Sequence, residues 1–260
     1  MGGCCECAWL DGGFWGTYFE RVFIQQVETF YDGMVQRVLQ AFGDLEQEAA
    51  SIGQADYERL CDLLAETDYR DMEDPADAAE EVALEHYEVL SSVRQAMLNL
   101  AVVALHHLVE QQLLLFHRSQ VLRPTEEDDP SKISFGELRK RLRSGGVDME
   151  ALPAWHKLDE FRTVANAVKH AEGTAVERLR AVRPDLFVPR VRVHAKSFFD
   201  HLEPPASVYL PLAGQDIFLT VEDLGAYKTA IVEFWRQFSA LIGSYTDTKV
   251  KPAGSKRRSM

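Results

Sequence analysis

Arg162, Asn166, Lys169 and His170 follow one another at steps of four, three and one residues in the stretch Arg162-Thr-Val-Ala-Asn-Ala-Val-Lys-His170. At about 100° per residue they fall within roughly one quadrant of a helix. The opposite arc is apolar, made of Phe161, Val164, Ala165 and Val168. The polar quadrant holds four donors able to grip a phosphate. Arg and Lys can balance the charge of a phosphorane-like transition state, while an imidazole takes a 2′-hydroxyl proton or protonates a leaving 5′-oxygen. That is chemistry for cutting RNA without a metal. His170 would act as general acid or base, Arg162 and Lys169 as charge stabilisers, and Asn166 as the orienting group. A plain structural reading stands beside it: cations near a helix C-terminus offset the macrodipole, and a polar face can simply meet solvent. Asn166 still needs a reason, because its amide competes with the backbone inside a helix.

The helix that must carry these residues is expected from Ala151 to Gly173, with Gly173 as its C-cap. Around it the apolar residues recur at three- and four-residue steps, which predicts a mainly α protein. Helices are expected at Thr17–Glu48, Tyr57–Leu64, Ala76–Leu122, from Ser134 as cap through Arg143, at Ala175–Val182 and at Leu224–Ile242. The segment Ala76–Leu122 is long enough to be the central helix of a bundle. Val191–His194, Val208–Leu210 and Ile217–Val221 are short, β-branched or aromatic, and separated by Pro204-Pro205 and Gly214, so a small β-ribbon is expected there. Residues 1–130 then form acidic N-terminal helices that include the long one. Residues 131–245 hold the motif helix, the ribbon and the last helix, packed with 1–130 as one domain, and 246–260 form a disordered basic tail.

The 260 residues carry a net charge of −13, with 46% hydrophobic residues, enough to bury a sizeable core. Bulk negative charge argues against a dedicated nucleic-acid coat protein. The charge is uneven, however. Residues 1–130 contain 7 Lys and Arg against 26 Asp and Glu, a formal −19, and the remainder 21 against 15, or +6. Arg139, Lys140, Arg141 and Arg143 precede the motif helix, and Arg178, Arg180, Arg183, Arg190, Arg192 and Lys196 follow it. They offer an electropositive rim, unless acidic residues of the first half neutralise them.

Other chemistries lack their supports. The chain has no G-x-x-x-x-G-K-[ST], G-x-G-x-x-G, G-x-S-x-G or H-E-x-x-H, so no nucleotide, dinucleotide or other cofactor and no catalytic metal is expected. His106, His107 and Glu110 sit within one turn, yet among Leu105, Leu108, Val109 and Leu113 they read as core residues of a long helix. Cys4-x-x-Cys7 has no second ligand pair, Cys5 adds none, and Glu6 breaks a myristoylation pattern. Met97–Phe116 is apolar over about the length of a membrane span, but Asn99, His106, His107, Glu110, Gln111 and Gln112 interrupt it. A cytoplasmic protein without membrane attachment is expected.

The same residues resemble the HEPN superfamily, helical proteins of toxin-antitoxin and phage-defence systems, many of them metal-independent ribonucleases. Its signature is an Arg followed by a polar residue, with a His four to six intervening residues after the Arg, late in a bundle helix. Asn166 and His170 match the polar position and the His; Ala165 stands where the Arg belongs, and Arg162 lies one turn earlier on the same face. The resemblance spans about Ala79 to Gly173. It implies RNA binding, metal-independent endoribonuclease activity carried by Arg162, Asn166, Lys169 and His170, a homodimer with facing signature helices, and an antitoxin or defence-system partner. A non-catalytic helical interaction module or accessory subunit, its acidic half contacting a basic partner, is the alternative reading.

Overall fold

Apolar residues at helical spacing make most of the described residues of this chain helical. A computed structural model describes residues 11–66, 74–126, 128–189 and 207–249. In chain order the α-helices are α1 (Gly12–Tyr18), α2 (Gln25–Gly33), α3 (Leu45–Glu66), α4 (Pro75–Phe116), α5 (Phe135–Ser144), α6 (Trp155–His170), α7 (Thr174–Val182) and α8 (Val221–Lys249). The mainly α architecture with one long helix is observed. No strand occurs among the described residues.

The chain makes two compact units, neither of them a contiguous stretch. One takes the chain through Tyr31, Val102–Thr163 and everything from Glu222; the other takes Asp32–Ala101 and Val164–Val221. Helices α4 and α6 contribute to both.

The first unit is built on aromatic rings. Trp15, Phe19 and Phe23, each four residues from the next, are buried together with Val27. A strict four-residue repeat drifts around a helix of 3.6 residues per turn. The wider π-helical turn Phe19–Ile24, with its i→i+5 bonds, absorbs that drift and keeps the rings on one side. They meet Phe116, Trp235 and Phe238 at centroid separations of 4.8–5.8 Å. Gln112 threads the cluster. Its Nε2 donates to Phe23 O (3.1 Å) and Gln26 Oε1 (3.0 Å), and its Oε1 accepts from Trp235 Nε1 (3.0 Å).

In the second unit the expected helix Thr17–Glu48 is interrupted. A π-helical turn Met34–Val38 and a 3₁₀ turn Leu39–Phe42 end at Gly43, whose φ is +32°, and Asp44 then opens α3 by accepting from the amides of Glu46 and Gln47. The apolar spacing runs on across Gly43, which is why periodicity alone joins the two helices. Helix α3 runs Leu45–Glu66, beginning well before the expected Tyr57 and ending two residues past Leu64. Ser134 caps α5 as expected, accepting from Glu137 N at 3.1 Å.

The expected ribbon is not formed where the structure describes it. Val191–His194 lies outside the described residues, and the backbone of 207–220 makes no ladder. Side chains satisfy it instead. Asp216 Oδ2 accepts from the amides of Tyr209 and Leu210 (2.8 and 2.9 Å), while Asn99 Nδ2 donates to Pro211 O (2.6 Å) and Ile217 O (3.0 Å) and Gln95 Nε2 to Leu219 O (3.1 Å). With its carbonyls taken by α4 and its amides by Asp216, the segment has little left to pair with a strand. Helix α8 continues to Lys249, so 246–249 are helical rather than part of a tail.

The long helix with its terminal π-turn, Pro75–Val121, is long and apolar enough to cross a membrane, at mean hydropathy 1.3 and with 28% of its most apolar window buried. Asn99 and Gln112 on this helix are themselves buried and hydrogen-bonded to packed protein segments. The polar groups of these two side chains are thus satisfied within the protein.

Candidate functional site

Helix α6 forms because one arc of it is a core face. Leu158, Phe161, Val164, Ala165 and Val168 are all buried. The opposite face carries the four candidate residues: Arg162 and Asn166 are half-buried, Lys169 and His170 exposed. The polar and apolar arcs read from the sequence are thus the outer and inner faces of the helix.

The stripe is divided in use. Arg162 Nη2 donates to Asp159 Oδ1 at 2.7 Å, one turn back, and Thr163 Oγ1 donates to Asp159 O at 2.8 Å. Helical side chains lean toward the N-terminus, and this pair draws the guanidinium further that way. Eight residues separate Arg162 from His170, about 12 Å of axial rise. A single phosphate group cannot bridge that gap, so within one chain the helix brings Asn166, Lys169 and His170 together and holds Arg162 apart. Among the described residues the side chains of Asn166, Lys169 and His170 make no hydrogen bond or ion pair. The buried Ala165 also shows that the position preceding Asn166 faces the core.

The corner after His170 differs from expectation. Helix α6 closes at His170, and the left-handed residue there is Ala171 (φ +59°), with Glu172 N donating to His170 O at 2.6 Å. Gly173 (φ +104°) is not the cap of α6; it opens α7 and offers no side chain to that helix's first amides. The free N–H groups of a helix start therefore follow Lys169 and His170 within a few residues. Because an L-residue at left-handed φ costs about 1–2 kcal/mol, Ala171→Gly is expected to stabilise the protein by about 0.5–1 kcal/mol after glycine's own entropy cost. A thermal melt should show a rise of about 2–3 °C.

The arginines around α6 are largely spent on partners nearby. On α5, Arg141 pairs with Glu126 (2.6 Å) and Glu137 (2.8 Å), Arg139 with Glu150, and Arg143 with Asp148 (3.4 Å) and Glu150. Arg141 holds the Glu126 carboxyl down at about 2 and lowers that of Glu137, while Glu150 and then Asp148 raise the pKa of Arg143. Beyond α6, Arg183 pairs with Asp185 (2.7 Å) and Arg180 lies 4.1 Å from the centroid of the Phe187 ring. The neutralising carboxylates in these pairs come mostly from the basic half itself; of them, Glu126 alone belongs to the first 130 residues. Arg190, Arg192 and Lys196 lie outside the described residues, as do Cys4, Cys5 and Cys7.

On α4, His106 and His107 both approach Glu110, at 3.5 and 3.1 Å, and His106 sits edge-on to Phe161 at 5.3 Å. No group of three or more His, Cys, Asp or Glu suited to hold a metal occurs among the described residues.

The geometry defines a helical protein with a polar helix face, of which Asn166, Lys169 and His170 are unpartnered among the described residues, that ends at an open helix start. Compared with family models, with curated proteins and with solved structures, the chain finds no match. The Asp159-Arg162 pairing was within reach of the sequence, since i,i+3 carboxylate and guanidinium groups meet on a helix. The uncapped start of α7 was less so, because Gly173 reads equally well as the end of the preceding helix.

Proposed function

We propose that this chain is an HEPN-like helical protein that binds RNA, gripping the phosphate backbone at the α6–α7 corner. The observation that carries this reading is the accessible face of Asn166, Lys169 and His170, unpaired among the described residues and leading into the uncapped start of α7. A cation, an imidazole, an amide and free backbone N–H groups suit a phosphodiester. The protein is proposed to be cytoplasmic and to work as a homodimer, restrained by an antitoxin or neighbouring defence-system partner. The stronger form of the proposal is metal-independent endoribonuclease activity with His170 as general acid or base. Since Asp159 holds Arg162 away, that form needs a guanidinium delivered by rearrangement of this pair or by a second copy.

Fluorescence polarisation with a labelled single-stranded RNA tests the binding. The expected result is affinity that falls with salt, and a Lys169→Ala/His170→Ala double variant that binds about tenfold more weakly. Each lost phosphate contact should make the slope of log K against log salt shallower by about 0.7. A double variant with the parent's affinity and slope would remove the corner from RNA binding. Cleavage is tested separately in EDTA, where His170→Ala should abolish the cut and leave the far-UV circular dichroism unchanged.

One set of observations favours the second reading, a non-catalytic interaction module. The α5 arginines are already neutralised, while Val89, Val93 and Leu100 stand exposed along one side of α4 in the acidic half. Charge neutralisation within residues 1–130 should then weaken binding of a basic partner and leave RNA binding intact.

A further inference from the structure

His117 occupies an unusual position. It is fully buried, and neither ring nitrogen has a hydrogen-bond partner among the described residues. It opens the π-helical turn His117–Val121 that ends the long helix, and this turn packs against α5. From α5 the charged groups facing it are Arg141 and Glu137; from the turn after Leu122 it is Glu126, and from its own helix Arg118. Ahead of α1, Asp11 meets the turn only through its amide, bonded to Gln120 Oε1 at 3.3 Å, its carboxylate being used to cap Phe14. Phe116, the preceding residue, is enclosed by Trp15 and Phe238. The imidazole thus sits between an aromatic core and an ion-paired helix, with no acceptor among the described residues to receive an added proton.

We infer that His117 is an acid-operated latch: protonating it releases the π-turn, residues 117–121, from α5 while the aromatic core stays folded. A buried imidazole without partners tolerates only its neutral form, and an imidazolium must reach water. Burial first, and the Arg141 charge second, push its pKa below the ordinary histidine value. A folded-state pKa depressed in this way means the closed form binds fewer protons than the open one. The latch is therefore fully closed above pH 6.5 and weakens as pH falls.

The pairs around it do not share that window. Glu126, held at about 2 by Arg141, and Glu137, lowered by the same guanidinium, keep their charges through pH 5. Between pH 6.5 and 5 the clamp of Arg141 on Glu126 thus stays closed while the turn beneath it loosens. A π-helical turn is a suitable place for such a device, since its inserted residue leaves it poorly matched to the α-helix it terminates.

Hydrogen exchange of the full-length protein, followed by mass spectrometry and corrected for the intrinsic pH dependence, tests the latch. Protection of peptides covering 117–122 should fall by about tenfold for each pH unit between 6.5 and the folded-state pKa of His117. Peptides from α8 should keep theirs. His117→Phe, which fills the site without titrating, should show protection that is flat over the same range. Should that variant fail to fold, the ring protons of His117 in the parent protein, followed by NMR, give the answer directly. Titration below 6.5 that coincides with opening supports the latch. Titration at or above 6.5 in the closed state, or pH-independent protection of 117–122, overturns it.

Discussion

Gly214→Ala should cost this protein about 3 kcal/mol or more, the largest loss expected of any single methyl addition here. Gly214 sits at φ +79° at the end of the 3₁₀ turn Pro211–Ala213, a left-handed conformation that already penalises any L-residue by about 1–2 kcal/mol. The greater part of the cost is steric. A Cβ built on Gly214 would run into the carbonyl oxygen of Ser92 and come within 2.7 Å of its carbon. Those Ser92 atoms belong to the backbone of α4, so they cannot swing aside as a flexible side chain would. Either the helix bends or the turn lifts away. Urea unfolding should show a midpoint lower by about 1 M or more at an m-value of about 2–3 kcal/mol/M. An alanine variant with the parent's midpoint would mean that the turn does not rest on α4.

Asn99→Leu is expected to cost a similar amount by a different route. The Asn99 amide is completely buried, with Nδ2 donating to Pro211 O and Ile217 O and Oδ1 accepting from Gln95 Nε2 at 3.0 Å. Leucine is nearly isosteric, so the core stays filled. Two buried carbonyls lose their donor, however, and each orphaned group costs about 1–3 kcal/mol. Asn99→Asp separates this polar effect from packing. At neutral pH it sets a carboxylate against two carbonyl oxygens in a buried site, so its folded-state pKa must rise. A group with a raised folded pKa is best tolerated below its unfolded value, near 3.9, and harms the fold as pH climbs through the folded value. Asn99→Asp should therefore lose stability relative to the parent as pH rises from 4 to 7, whereas Asn99→Leu should keep a constant deficit. Equal, pH-independent losses in both variants would show that Asn99 acts by volume alone.

These two substitutions act on one structural unit. Both detach the segment 208–219 from α4, so a Gly214→Ala/Asn99→Leu double variant should lose clearly less than the sum of the single losses.

The helices were legible in the sequence because burial and helical periodicity coincide along most of the chain. Phe161, Val164, Ala165 and Val168 read as one arc and are one buried face. Ser134 read as a cap and is one. The stop at Gly43-Asp44 was harder to see, since hydrophobic spacing continues straight across it and only the backbone turn at positive φ breaks the helix. The ribbon failed for a related reason. Val208–Leu210 and Ile217–Val221 have the composition of strands, but composition records what a segment can pair with, and Asn99, Gln95 and Asp216 reached its backbone first.

The primary structure by itself determined that this is a helical protein with one long helix and a polar quadrant on α6. Those features follow from neighbours a turn or two apart, whose geometry is fixed by the helix. Only the tertiary structure decided how the charges are spent. Whether a guanidinium is free for a ligand depends on which carboxylate lies within 3 Å of it: Glu126 for Arg141 lies fifteen residues away across a turn. It was likewise the folded chain that buried His117 without a partner among the described residues and set Gly214 against Ser92, because packing between distant segments is not written in local spacing.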